Sequence, residues 1–153
     1  MKIVILDGYA LNPGDLSWEQ LLDLGNLEVY DRTTPMQVLE RAENADVIFT
    51  NKVLITRDLI SRLPKIKYIG VLATGYNVVD TKAAAEAGIV VTNIPAYSTD
   101  SVAQLVFAHI LHFTNNVAEH NHSVRQGEWV NNVDFCYWKT PQTELAGKIL
   151  GII

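Results

Sequence analysis

A doubly wound α/β domain is the fold this sequence predicts over residues 1–98, and three observations predict it. Five short apolar runs alternate with stretches of helical pattern. Several of those runs are apolar at successive positions, which marks strands buried on both faces by crossover helices. The stretches between them open on capping residues and close on glycine or proline. The element order is therefore βαβαβαβαβ around a parallel sheet of five strands.

Taken in order, the first run is Ile3–Leu6. Asp15 starts a helix over Leu16–Leu24, and Gly25 ends it. The second strand is Leu27–Tyr30. Thr34-Pro35-Met36-Gln37 follows as a helix start: Thr34 as N-cap, Pro35 in the first helical position and Gln37 closing a capping box. Val47–Thr50 is the third strand. Thr56 caps Arg57–Leu63, which Pro64 closes. The fourth strand lies within Ile66–Leu72. Asp80 caps an alanine-rich helix, Thr81–Ala87, that Gly88 terminates, and Ile89–Thr92 is the fifth strand.

The chain changes character after residue 98. Ser101–Phe113 is apolar nearly all round at helical length, which predicts a buried helix that includes His109. Thr114–Arg125 is polar and Gly127 is its stop. Residues 128–143 hold Trp129, Trp138, Phe135 and Tyr137 without a clear period, as an irregular arm does. A further strand is expected from Lys148 to Ile153. The organisation expected is a first domain at 1–98, a helix and arm at 99–147, and at 148–153 the opening strand of a further domain.

Composition narrows the function classes. With 12 basic and 17 acidic residues the net charge is −5, and no basic stripe exists to neutralise phosphates, so neither nucleic acid nor an anionic membrane is an expected partner. Cys136 is the single cysteine, so no intrachain disulfide forms, which fits a reducing, cytoplasmic setting. The apolar start ends at Asp7, too early for a signal peptide or a span.

In open parallel sheets ligands bind beyond the carboxyl ends of the strands. Here those ends are Asp7-Gly8-Tyr9, Asp31-Arg32, Thr50-Asn51-Lys52, the loop 73–77 and the loop 93–97. Gly75 in the fourth permits positive φ and close approach, so the backbone N–H groups of Thr74 and Gly75 form an anion nest fit for a carboxylate; the alternative is a plain tight turn into the Asp80-capped helix. The fifth end runs through Ser98-Thr99-Asp100-Ser101 into the apolar helix. Thr99 or Asp100 is expected to cap that helix, and its N-terminus favours anions.

The runs Leu63–Gly70, Gly75–Asp80, Ala84–Pro95 and Ser101–Gln104, with the tail Glu144–Ile153, resemble the D-2-hydroxyacid dehydrogenases. Ala73-Thr74-Gly75-Tyr76-Asn77, Pro95-Ala96-Tyr97-Ser98 and the tryptophan-bearing arm look most like the glycerate dehydrogenase or hydroxypyruvate (glyoxylate) reductase branch. The resemblance implies a flavodoxin-like first domain and hydride transfer between NAD or NADP and C2 of a small 2-oxo or 2-hydroxy acid. It implies that Ala73 and the amides of Thr74 and Gly75 hold the substrate carboxylate, and that Tyr97 and Ser98 face substrate; Lys52 is a further candidate because it sits at a strand end facing the same cleft. It further implies that Thr74, Thr99 and Val102 line the nicotinamide pocket, and that residues 101–140 form a homodimer in which Trp138 either reaches the neighbouring active site or serves ordinary dimer packing. In that family the catalytic histidine, its carboxylate partner and a substrate arginine lie beyond a glycine-rich cofactor turn that follows such a tail. None has a counterpart here, so the tail is expected to be the edge of a Rossmann-type domain. The 153-residue chain by itself is expected to be inactive, with no cofactor bound and no catalytic residue of its own.

Two other functions are compatible in principle with such a fold. A non-enzymatic ligand- or partner-binding module of co-repressor type uses the same fold. A phosphoacceptor receiver needs an acidic pair after the first strand and an aspartate at the end of the third, whereas Asp7 is followed by Gly8 and the third strand ends Phe49-Thr50. His109 and His112 stand at i,i+3 near His120 and His122, but no carboxylate or thiol completes a set, so packing or surface roles are expected rather than metal binding.

Overall fold

The strands β1 (Lys2–Ile5), β2 (Asn26–Val29), β3 (Val47–Thr50), β4 (Tyr68–Val71) and β5 (Val90–Thr92) pair in the order β2-β1-β3-β4-β5, every pair parallel. The computed structural model describes residues 1–152 and divides into two compact units, Met1–Tyr97 and Ser98–Ile153. The sheet belongs to the first. Its order is the doubly wound one, with the winding reversing between β1 and β3.

Three central strands bury nearly every residue, as their unbroken apolar runs require, and the outer strands β2 and β5 are more exposed. Val4, Leu6, Ile48, Ile55, Ile69 and Ala84 are fully enclosed and join strands to helices in one core. Gly70 is in β4 because of a close approach: a Cβ there would run into the ring of Phe49 on β3. That ring meets Tyr68 edge-on with centroids 5.9 Å apart.

Two helices start where the capping residues place them. Thr56 accepts a hydrogen bond from the Leu59 N–H at 3.3 Å to begin α3 (Arg57–Ser61). The Asp80 carboxylate accepts one from Ala83 N–H at 2.8 Å to begin α4 (Thr81–Glu86), and Gly88 adopts φ +72° after it.

The first two helices differ from expectation. Only α1 (Glu19–Leu22) forms in place of Leu16–Leu24. The Asn12 side chain takes the preceding backbone: its Oδ1 accepts from Gly14 and Leu16 N–H, both at 3.0 Å, and its amide donates to Leu16 O at 2.7 Å. Gly25 does not adopt the left-handed conformation expected of a helix stop; a Cβ there would collide with the Met1 carbonyl. Thr34–Gln37 forms a turn rather than a helical start, and α2 spans Val38–Ala42. Half of the capping box survives, since Gln37 Oε1 accepts from the Thr34 N–H at 3.1 Å.

The second unit begins with α5 (Thr99–Asn115). Asn116 in the left-handed region, φ 47°, separates it from α6 (Val117–Arg125), and Gly127 follows at φ +82°. The cap of α5 is Ser98, whose side chain makes no capping bond, rather than Thr99 or Asp100. No residue of α5 is buried, contrary to the expectation, and His109 is exposed. Residues 126–152 form neither helix nor strand. The strand expected from Lys148 is absent as far as Ile152, and Ile153 lies outside the described residues. A strand needs a neighbour to satisfy its backbone. Lys148 N–H instead bonds Leu145 O at 3.0 Å across a turn at Gly147, φ +72°.

Candidate functional site

The carboxyl ends of β4 and β5 build one rigid ledge. Ile94 N–H donates to Ala73 O at 3.1 Å, the Asn93 side-chain amide donates to Thr74 O at 2.8 Å, and the Thr74 hydroxyl donates to Ile94 O at 3.1 Å. On the other side the loop is tied to the start of α3. Ile55 N–H bonds Val78 O at 2.8 Å and Asp80 N–H bonds Ile55 O at 3.0 Å. Ala73 is buried as the floor, whereas Thr74 and Gly75 are exposed.

With the loop carbonyls engaged, the backbone N–H groups of Thr74 and Gly75 donate to nothing among the described residues. Two successive open donors on a fixed loop are a receptor for an anion, and a carboxylate matches their spacing. Gly75 contributes through its bare Cα rather than through positive φ, which it does not adopt. A Cβ there would lie 3.4 Å from the Asn77 side-chain oxygen.

Lys52 stands two residues past the end of β3, as Ala73 stands two past the end of β4, and Thr50 and Val71 are register partners. The Lys52 loop is therefore next to the ledge at the sheet edge. Asp7 secures it. This buried carboxylate accepts from the N–H groups of Asn51 at 2.8 Å, Lys52 at 2.6 Å and Val53 at 3.3 Å. Neither Asp7 nor Asn93 carries a role in the sequence reading, although both sit at strand ends. An aspartate closing an all-apolar strand was the available signal.

The remaining candidate residues are distributed between the two units. Tyr97 closes the first and is 67% exposed. Ser98, Thr99 and Val102 open the second, on the first turn of α5, where Val102 is 56% exposed. Trp138 is 72% exposed on the arm. Its neighbours are held. The Lys139 N–H reaches His120 Nε2 at 3.3 Å, Thr140 Oγ1 accepts from the Asn116 amide at 2.9 Å, and Tyr137 OH lies 2.8 Å from the Ser123 hydroxyl. Among the described residues no three histidine, cysteine or acidic side chains gather as a metal site. No helix among them is long and apolar enough to cross a membrane.

The sequence profile of the D-isomer specific 2-hydroxyacid dehydrogenase catalytic domain matches residues 3–144. The hydroxypyruvate reductase of Blautia hydrogenotrophica is 51% identical over 156 residues, covering 100% of this chain and 48% of that protein. The glycerate dehydrogenase of Methylorubrum extorquens is 35% identical over 153 residues, covering 99% of this chain and 48% of that protein. Among solved structures, an acyclic imino acid reductase in complex with NADPH and D-Arg superposes with a TM-score of 0.69 at 26% identity, over 83% of this chain and 41% of that one. The chain thus spans about half the length of the curated relatives it matches.

Proposed function

The chain belongs to the D-isomer specific 2-hydroxyacid dehydrogenase family, and from that premise we propose that it is the substrate-holding part of an NAD(P)-dependent oxidoreductase acting on a small 2-oxo or 2-hydroxy acid of the glycerate–hydroxypyruvate type. The observation that carries this reading is the pair of open N–H groups at Thr74 and Gly75. The substrate carboxylate docks there, with Ala73 beneath it and Lys52 and Tyr97 on the substrate side. Held in this way, C2 of the acid has a fixed position for hydride transfer.

The nicotinamide supplies the hydride when it is bound. Within the second unit, Val102 offers an exposed apolar side chain on the first turn of α5, which suits an apolar ring. No residue of the 153 matches the family's catalytic histidine, so proton delivery to the carbonyl oxygen is assigned to none of them.

The domain roles follow. Residues 1–98 hold substrate, 99–147 link and associate, and 148–153 lead toward a cofactor domain. The exposed side chains of Val102, Leu105, Phe107 and Phe113 on α5 support association of two copies through residues 101–140, with Trp138 directed at the partner's site.

Amide NMR of this chain titrated with D-glycerate tests the central point. Shifts are expected to start at Thr74 and Gly75. Shifts centred elsewhere would overturn the carboxylate assignment. In parallel, NADH quenching and hydroxypyruvate-dependent NADH oxidation are expected to be absent for the 153-residue chain and present for the complete product of its gene. Turnover by the 153-residue chain alone would refute the assignment of proton delivery elsewhere.

A further inference from the structure

The first unit has a second cavity on the other side of Lys52, at the point between β1 and β3 where the winding reverses. It is a cleft of about 850 Å3 between the ends of β1, β2 and β3 and the starts of α2 and α3. It does not include the Thr74–Gly75 ledge. Crevices at such reversals are where open α/β sheets take ligands, and a volume of this size suits a small organic molecule.

Its walls are apolar, with Met36, Leu39, Leu54 and Leu59 among them, and its charged groups are unequally satisfied. Asp7 is saturated by backbone donors. Asp58 lies 3.6 Å from Arg62. Among the described residues, the side chains of Arg32 and Lys52 have no acceptor and no ion-pair partner, while Asp31 is the carboxylate of the rim without a cation. Arg32 is also oriented: its guanidinium lies over the Tyr9 ring, 4.3 Å from the centroid. The contact with the ring positions the guanidinium, whose N–H groups can grip a carboxylate with two parallel hydrogen bonds.

The geometry points to a second ligand site here, for a small carboxylate with an aryl or branched-alkyl body, its charge on Arg32 with support from Lys52 and its body against Met36, Leu54 and Leu59. The inference shares Lys52 with the proposed substrate side but needs neither the Thr74–Gly75 ledge nor the cofactor.

Met1 and Met36 are the two methionines of the chain, so methyl-labelled methionine reports on the cleft with one resonance and on a remote control with the other. Titration of the full chain with phenylacetate is expected to move the Met36 methyl saturably and leave that of Met1 in place. Phenylacetamide, the uncharged analogue, is expected to bind about tenfold more weakly, since a charge-assisted pair is replaced by a neutral one. Arg32→Gln is expected to erase the difference between acid and amide, and Leu54→Glu to abolish both titrations, with the amide NMR spectrum certifying that each variant is folded. An unmoved Met36 methyl, equal binding of acid and amide to the unmodified chain, or an acid preference that survives Arg32→Gln would each overturn the proposal.

Discussion

Asp7 and Lys52 meet through a side chain and a backbone: Oδ2 of the buried aspartate accepts the Lys52 N–H at 2.6 Å. The bond places the Lys52 loop from the end of a different strand, so the position of the lysine is set by β1 as much as by its own β3. Asp7→Asn keeps one acceptor oxygen and turns two amide hydrogens toward a cluster of N–H donors. The expected loss of stability is roughly 1–3 kcal/mol, the range for leaving buried polar groups mismatched. Urea unfolding followed by circular dichroism measures it, and amide exchange at Asn51–Val53 is expected to accelerate. A midpoint identical to that of the unmodified chain would show that the carboxylate is dispensable.

Gly70 is the tightest point of the sheet. A Cβ would overlap the Phe49 ring, which is in turn set edge-on to Tyr68, so the Phe49 ring or the β4 backbone must shift to admit it. Gly70→Ala is expected to cost about 1–3 kcal/mol, as overpacked cores do. Phe49→Leu in the same chain is expected to restore part of that loss, giving a coupling that a double-mutant cycle detects. Additive effects would place the strain elsewhere.

Much of the first unit was legible because its signals are local or periodic. The unbroken apolar runs at β1, β3 and β4 announced burial on both faces, and Thr56 and Asp80 announced two helix starts through their own side chains. The failures came from partners distant in sequence or from competing local bonds. Nothing in Leu16–Leu24 reveals that Asn12 will take the backbone of Gly14 and Leu16. Gly25 reads as a helix stop, but its reason is the carbonyl of Met1, 24 positions away. At the site, Thr74 and Gly75 were legible as a pair of donors. The lock on that loop, Asn93 and Ile94 just past the next strand, was not, because it exists only once β4 and β5 are paired. The apolar run of α5 reads as a buried helix, and no residue of α5 is buried in the single chain.

Acid is expected to loosen the β1–β2 edge first. Glu28 is held below its ordinary range chiefly by the hydrogen bond from Lys2, with a further one from Tyr30 and against an opposing effect of burial. Asp46 is also lowered, first by the backbone N–H of Lys2, and then by the nearby Lys67 charge. A carboxylate depressed in the folded state binds its proton more readily when unfolded. Its contribution is therefore complete above the ordinary carboxylate range, near pH 4, and disappears as the pH falls through the lower folded value. Lys2→Met removes the ammonium and keeps the backbone N–H, so it is expected to weaken the part of this acid dependence due to Glu28 while sparing the bond from the Lys2 N–H to Asp46. Unfolding midpoints between pH 3 and pH 7 check the slope, and a variant as acid-sensitive as the parent would contradict the assignment to Glu28.

The arm is expected to depend on one buried hydroxyl. Ser123 is 2% exposed on α6, and its Oγ lies 3.0 Å from Glu128 Oε2 and 2.8 Å from Tyr137 OH. An ionised carboxylate only accepts, so the serine proton goes to Glu128 and the phenol donates to the serine. Lys139 completes the chain on the same carboxylate oxygen, which lowers the Glu128 pKa through that bond first and the serine bond second. Ser123→Ala strands the Tyr137 hydroxyl and one side of Glu128 at once. The expected cost is about 1–2 kcal/mol, seen as faster amide exchange over residues 128–140. Tyr137→Phe alone is expected to cost less, because Ser123 keeps Glu128. Ser123→Ala with Tyr137→Phe is expected to cost less than the two single effects added, since the second change removes the group the first left without a partner. Exchange rates in the arm that ignore both substitutions would mean that Trp138 owes its placement to something other than this chain of hydroxyls.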